Sequence, residues 1–194
     1  MDKPVESRHG PYTIKAGMLH GTATARAFVT GGKAGLVAQA DADSIEDAVA
    51  TLKRDLDGRA ATERSHRRHD PASGFDVPTV KEYLQALQVV KPHDAHLVML
   101  RAHALAGEAG LTAGQLAADA GYQSLSAANL QYGLLGRQIA EAIGCDLPAS
   151  SLRKDADVAT GVLARAGAPR ESGSFVWVMH PELREAVADY VAMA

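Results

Sequence analysis

The sequence predicts an α+β protein of two small units. Three observations carry this. Short stretches of alternating apolar and polar residues occur only near the N-terminus and again near the C-terminus. Helical periodicity fills what lies between. The break at Asp70-Pro71-Ala72-Ser73-Gly74 ends any helix that reaches it.

Residues 1–10 read as a loose tail. Tyr12 to Lys15 alternates as a strand does, and Thr22 to Thr30 does so over a longer run. In that run Arg26 and Phe28 share one face, and Ala25, Ala27 and Val29 the other. Gly31-Gly32 marks a hairpin, and Gly35 to Ala40 a third strand. Ser44 then caps a helix with Asp47 three residues on. Ile45, Ala48, Val49, Leu52 and Leu56 follow as a single apolar stripe. The expectation over residues 1–62 is a three-stranded sheet with one helix on one face. Residues 63–78 read as a basic helix extension and linker.

Residues 79–194 form the second expected unit. Thr79 caps a helix, with Glu82 completing a capping box, and Lys91-Pro92 interrupts it. A second helix turns Leu97, Leu100 and Ala104 inward and ends at Gly107–Gly110. Thr112 caps a short helix from Ala113 to Asp119, and Gly121-Tyr122 makes the turn. Ser126 caps a longer helix reaching Ile143, closed by Gly144. Val158 to Arg165 and Ser174 to Met179 read as paired strands joined by the Gly167–Gly173 loop. Leu183 to Met193 reads as a final helix. Helix, short helix, tight turn, long helix and hairpin is the order of a winged helix-turn-helix.

Composition narrows the setting. Hydrophobic residues make up 46% of the 194, enough to bury a core. The single cysteine, Cys145, excludes an internal disulfide. The polar N-terminus has no signal-peptide run, and no stretch of eighteen apolar residues predicts a membrane span. A cytoplasmic protein with no membrane partner is expected. Charge is uneven. Of 20 Lys and Arg and 23 Asp and Glu, residues 1–70 hold 11 and 10, leaving 9 and 13 for the rest. The acidic half thus carries the DNA-binding-like order, although phosphate contacts need cations.

The helix 126–143 is the main candidate surface. Ala128, Tyr132, Leu135, Ile139 and Ala142 fall on its core face. Leu130, Gln131, Leu134, Arg137, Gln138 and Glu141 fall opposite. In duplex DNA, Gln131 would read adenine, Arg137 guanine, and Gln138 a base edge or phosphate. Arg165 and Arg170 are candidates for a minor groove, and Arg26, Arg64, Arg67 and Arg68 for phosphates. Lys15 and Lys33 extend the same basic surface. The outward Leu130 and Leu134 suit a protein contact instead. Burying both in a homodimer removes roughly 200 Å² of apolar surface, with Val187, Tyr190 and Val191 of the last helix as the remainder.

Other chemistry is not expected. His93, His96 and His103 share a helix side, and His66 and His69 lie among arginines, but no Cys or HExxH pattern makes a metal site of them. No catalytic motif, phosphate loop or cofactor signature occurs, so no enzyme is expected. Cys145, after a helix end, is not placed to be a thiolate, and Trp177 reads as a core residue of its strand.

Gly121-Tyr122, the segment Ala128 to Gly133, and Trp177-Val178-Met179 with Pro181-Glu182-Leu183 together resemble a winged-helix module of uncharacterised bacterial proteins. The module is similar to segments appended to HNH-type restriction nucleases, and the resemblance covers roughly residues 80–190. It implies a role around DNA defence or mobile elements. The nuclease array is missing here, so cleavage is not implied. Two functions are therefore expected in order: a non-enzymatic DNA-binding regulator or defence accessory, then a protein-interaction module such as a phage-encoded inhibitor of a defence complex.

Overall fold

The computed structural model describes residues 5–31, 35–149, 158–168 and 175–193. The chain is mixed α+β and divides into Met1–His66 and Arg67–Ala194.

The first unit is a four-stranded antiparallel sheet in sequential order: β1 (Val5–His9), β2 (Tyr12–Leu19), β3 (Thr22–Val29) and β4 (Ala38–Ala42). The sequence suggested three strands and a loose tail. The tail is instead an edge strand, joined to β2 by the Gly10-Pro11 turn with Val5 opposite Ala16 and His9 opposite Tyr12. A polar edge strand has no core face to alternate, which hides it from periodicity. The next hairpin closes on His20 and Gly21, both at positive φ (51° and 88°), the pairing of a type I′ turn.

One sheet face buries Ile14, Ala16, Ala25, Ala27 and Ala38 against α1 (Ile45–Ser65), which supplies Ala48, Leu52 and Leu56. Ser44 caps α1 as expected, accepting from the Asp47 amide at 3.1 Å. Alanines on the sheet let the helix approach closely, so the three large apolar side chains Ile14, Leu52 and Leu56 do most of the filling. His9 ties the edge strand to α1 through Asp57, 2.7 Å away.

The second unit begins where a linker was expected. Residues 68–77 form a hairpin of β5 (Arg68–Asp70) and β6 (Phe75–Val77). The buried Asp70 closes its turn: its carboxylate accepts from the Ser73 hydroxyl at 2.6 Å and its carbonyl from the Gly74 amide at 2.8 Å. Pro71 and Gly74 do break the helix, but the break is a turn with a side-chain acceptor.

Five elements follow, with a 3-10 turn at Gly107–Ala109 between the second and third. They are α2 (Val80–Val90), α3 (Asp94–Ala106), β7 (Leu111–Thr112), α4 (Ala113–Asp119) and α5 (Leu125–Ile143). After a 3-10 turn at Ala159–Val162 come β8 (Ala164–Ala166), β9 (Val176–Met179) and α6 (Pro181–Ala192). The small sheet has the order β7-β9-β8. Thr79 and Thr112 each form a complete capping box, with Glu82 and Gln115. Gly144 ends α5 at φ 71° as expected. Two boundaries differ. Ser124, not Ser126, is the N-cap of α5. The expected strand Val158–Arg165 is mostly the 3-10 turn, and only its end pairs as β8.

That turn differs from a strand because it presses on α5. A side chain at Gly136, in the middle of α5, would collide with the carbonyl oxygen of Ala159. Gly133, three residues earlier on the same helix, has no neighbour within 4 Å of such a side chain among the described residues. Substitution at the two sites should therefore have opposite signs. Gly136→Ala is expected to lower stability by about 2 kcal/mol or more, because backbone must move. Gly133→Ala is expected to raise it by up to about 1 kcal/mol through helix propensity. Urea unfolding followed by circular dichroism separates them.

Candidate binding face on the long helix

The inner face of α5 is set by Ala128, Tyr132, Leu135 and Ile139, all buried. Their spacing of three and four residues makes one stripe, so the opposite stripe is left for solvent. On that side Leu130 is 60% exposed and Leu134 42%. Leu125, at the first position of the helix, is 57% exposed. Periodicity places Leu130 and Leu134 on this side; Leu125 lies on the other side of the helix, against Gly114 of α4. Arg137, Gln138 and Glu141 are exposed further along.

Gln131 is not freely presented. It is half-buried, and its side-chain oxygen lies 3.2 Å from His96 Nε2. His96 in turn stacks on His93, with ring centroids 3.6 Å apart. Burial first, and His93 second, hold the His96 pKa below its ordinary value, while the Gln131 bond opposes them. A neutral His96 donates that bond to the Gln131 oxygen. Only the amide nitrogen of Gln131 is left for an outside acceptor.

The arginines expected on phosphates sit elsewhere. Arg67 grips Glu82 with Nε and Nη2, at 3.0 and 2.7 Å, and both side chains are nearly buried (10% and 11% exposed). The same carboxylate accepts from the Thr79 backbone, so one group closes the α2 cap and the ion pair. Arg68 makes two bonds to Glu182, at 2.8 and 3.2 Å. Arg165 reaches Glu108 at 2.9 Å, with Arg184 on the other oxygen at 3.4 Å. These guanidinium groups already have anions, which a phosphate would have to displace.

In the first unit, Arg26 lies on the sheet face away from α1 and donates to Gln39 at 2.9 Å. Beside it on that face, Lys15 is 3.9 Å from Glu6. Arg64 is exposed in the last turn of α1, on the other side of the sheet, so the basic surface expected from Arg26 and Arg64 is not assembled. Arg170 and Lys33 lie outside the described residues.

Remaining candidates are structural in placement. His103 and His180 are buried and hydrogen-bonded. Trp177 stacks on Tyr132 at 5.8 Å. Burial pushes the Cys145 thiol up to about 11, partly offset by Arg67. Among the described residues no group of three or more His, Cys, Asp or Glu is placed to hold a metal ion. Among them too, no helix is long and apolar enough to cross a membrane. Comparison with protein-family models, curated proteins and solved structures found no match.

The pairing of Arg67 with Glu82 predicts how these residues respond to mutation. Glu82→Ala removes the partner of a buried guanidinium and half of a capping box, and should cost about 3 kcal/mol. Arg64→Ala, on an exposed helix end, should change stability by less than about 0.5 kcal/mol. Chemical denaturation of the two variants checks the contrast. Equal losses would show that Arg67 is not held as described.

Proposed function

We propose that this chain is a non-enzymatic binding protein whose second unit is a winged helix, and that the outer face of α5 engages a protein. The carrying observation is the makeup of that face. Leu130 and Leu134 stand exposed one turn apart, and the charges on the same face, Arg137 and Glu141, cancel. A surface that meets a phosphate backbone needs cations beside the helix that enters the groove. A neutral face with exposed leucines suits a desolvated protein contact.

The winged-helix reading is supported by element order. A helix (α3), a short strand (β7), two helices (α4, α5) and a hairpin (β8, β9) follow in sequence, and the hairpin's second strand lies between β7 and β8. The resemblance to modules beside restriction nucleases is the ground for placing the protein in defence or mobile-element biology.

A second copy of the chain is the partner tested first. A face whose exposed charges balance, Arg137 against Glu141, does not repel its own copy, and like-charged faces do. The leucines alone fall short of the roughly 1,200 Å² that a stable pair buries. The contact must therefore also cover the exposed Asn129, Arg137 and Gln138. Light scattering at tens of micromolar should give a dimer mass, and Leu134→Glu should give a monomer. A wild-type monomer would rule out self-pairing and leave the leucines to a different protein.

Duplex DNA is the second reading, favoured by the same element order and by Arg137 and Gln138 exposed together on α5. Affinity for random duplex at low salt would support it. If the protein binds, Arg137→Ala should reduce the slope of log affinity against log salt by about 0.9, the loss of one phosphate contact. A complete lack of binding at low salt would remove this reading.

A further inference from the structure

Two buried histidines meet at the strand-to-helix joint formed by β9 and α6. His103, on α3, is fully buried. Its Nε2 lies 2.9 Å from the carbonyl oxygen of Trp177 on β9, and its Nδ1 lies 2.6 Å from the hydroxyl of Tyr132 on α5. A carbonyl can only accept, so Nε2 carries the proton and donates. In the neutral ring Nδ1 is then bare and accepts from Tyr132. One imidazole thus joins three elements.

His180 sits between β9 and α6, also buried. Its Nε2 lies 2.9 Å from the Gly161 carbonyl in the 3-10 turn, which fixes the same tautomer. Its Nδ1 is buried with no hydrogen-bond partner among the described residues. A bare ring nitrogen leaves one neutral acceptor unmet there, whereas protonation leaves an unmet N–H on a buried cation, which costs more.

We propose that the β9–α6 joint is an acid-sensitive latch, closed only while His103 and His180 are both neutral. Protonating His103 places an N–H against the Tyr132 oxygen. The Tyr132 hydroxyl proton must then turn away, and Tyr132 is itself fully buried. Protonating His180 creates a buried N–H without an acceptor, and a cation at the start of α6, the wrong end of a helix for positive charge.

The charged neighbours do not cancel this. His180 faces Arg68 from β5, which opposes protonation, and Asp70 from β5 and Glu182 from α6, which favour it. Burial is the largest influence on His180 and lowers its pKa, and the Gly161 bond opposes it. For His103 burial again comes first, the Trp177 bond opposes it, and His180 adds repulsion. Both rings therefore titrate below the ordinary histidine value in the closed form. The open form takes up protons first as pH falls below about 6.5, so closure is complete above that value and is lost beneath it.

Trp177 is the only tryptophan and is part of the joint, so its fluorescence reads the latch directly. The experiment is a titration of the full chain from pH 7.5 to 5, with urea unfolding at each pH. The opening constant should rise by up to about 100-fold per pH unit, the limit for two protons, and Trp177 emission should shift to the red. His103→Gln and His180→Gln together should remove most of the dependence, leaving what the buried His96 supplies. An emission and an opening constant unchanged across this range would overturn the proposal. Should the double variant not fold, histidine ring signals in wild-type NMR spectra decide. Titration of both rings below the ordinary histidine value of about 6.5, together with the Trp177 transition, supports the latch. Titration of either ring at 6.5 or above within the closed form overturns it.

Discussion

Tyr132 is the centre of the second unit, and its burial carries a condition. The ring is fully enclosed, and its hydroxyl needs a partner inside the core. His103 supplies that partner and passes the connection on to the backbone of Trp177, whose indole stacks on the same Tyr132 ring. Helix α3, helix α5 and strand β9 are thereby held at one point. A phenylalanine at this position would fill the space without fixing the register of the three elements.

The rotation of α5 follows from that condition. With Tyr132, Leu135 and Ile139 turned inward, and the Ala159 backbone resting on Gly136, the helix has one orientation available. Leu130 and Leu134 then have nowhere to go but outward. The exposed face is thus a consequence of how the core is packed. Its low net charge, with Arg137 balanced by Glu141, is a separate property of the sequence, and the two together make it a candidate contact surface.

The arginines follow a different rule. In water each is a free cation, and a run such as Arg64, Arg67 and Arg68 looks like a basic patch. In the folded chain a guanidinium next to a carboxylate forms a fork-shaped pair that a phosphate must break. Glu82 and Glu182 capture Arg67 and Arg68 in this way, and Glu108 takes a single bond from Arg165. These partners lie 15, 114 and 57 residues away along the chain, and such separations leave no local signal.

Local rules were enough to read much of this protein from its sequence. Capping boxes at Thr79 and Thr112, the helix stop at Gly144 and the two faces of α5 rest on interactions within a turn or two of helix, so the residues themselves determine them. The alternation that separates Arg26 from Ala25 and Ala27 is equally local. Only tertiary structure decided what depends on distant partners. The polar strand Val5–His9 exists because β2 offers it an edge. Residues 159–162 turn as a 3-10 helix where Gly136 admits their backbone. Gln131 is held by a histidine 35 residues before it. Periodicity reports which face of an element is buried, but hydrogen bonds and ion pairs between elements are set by how the chain returns on itself.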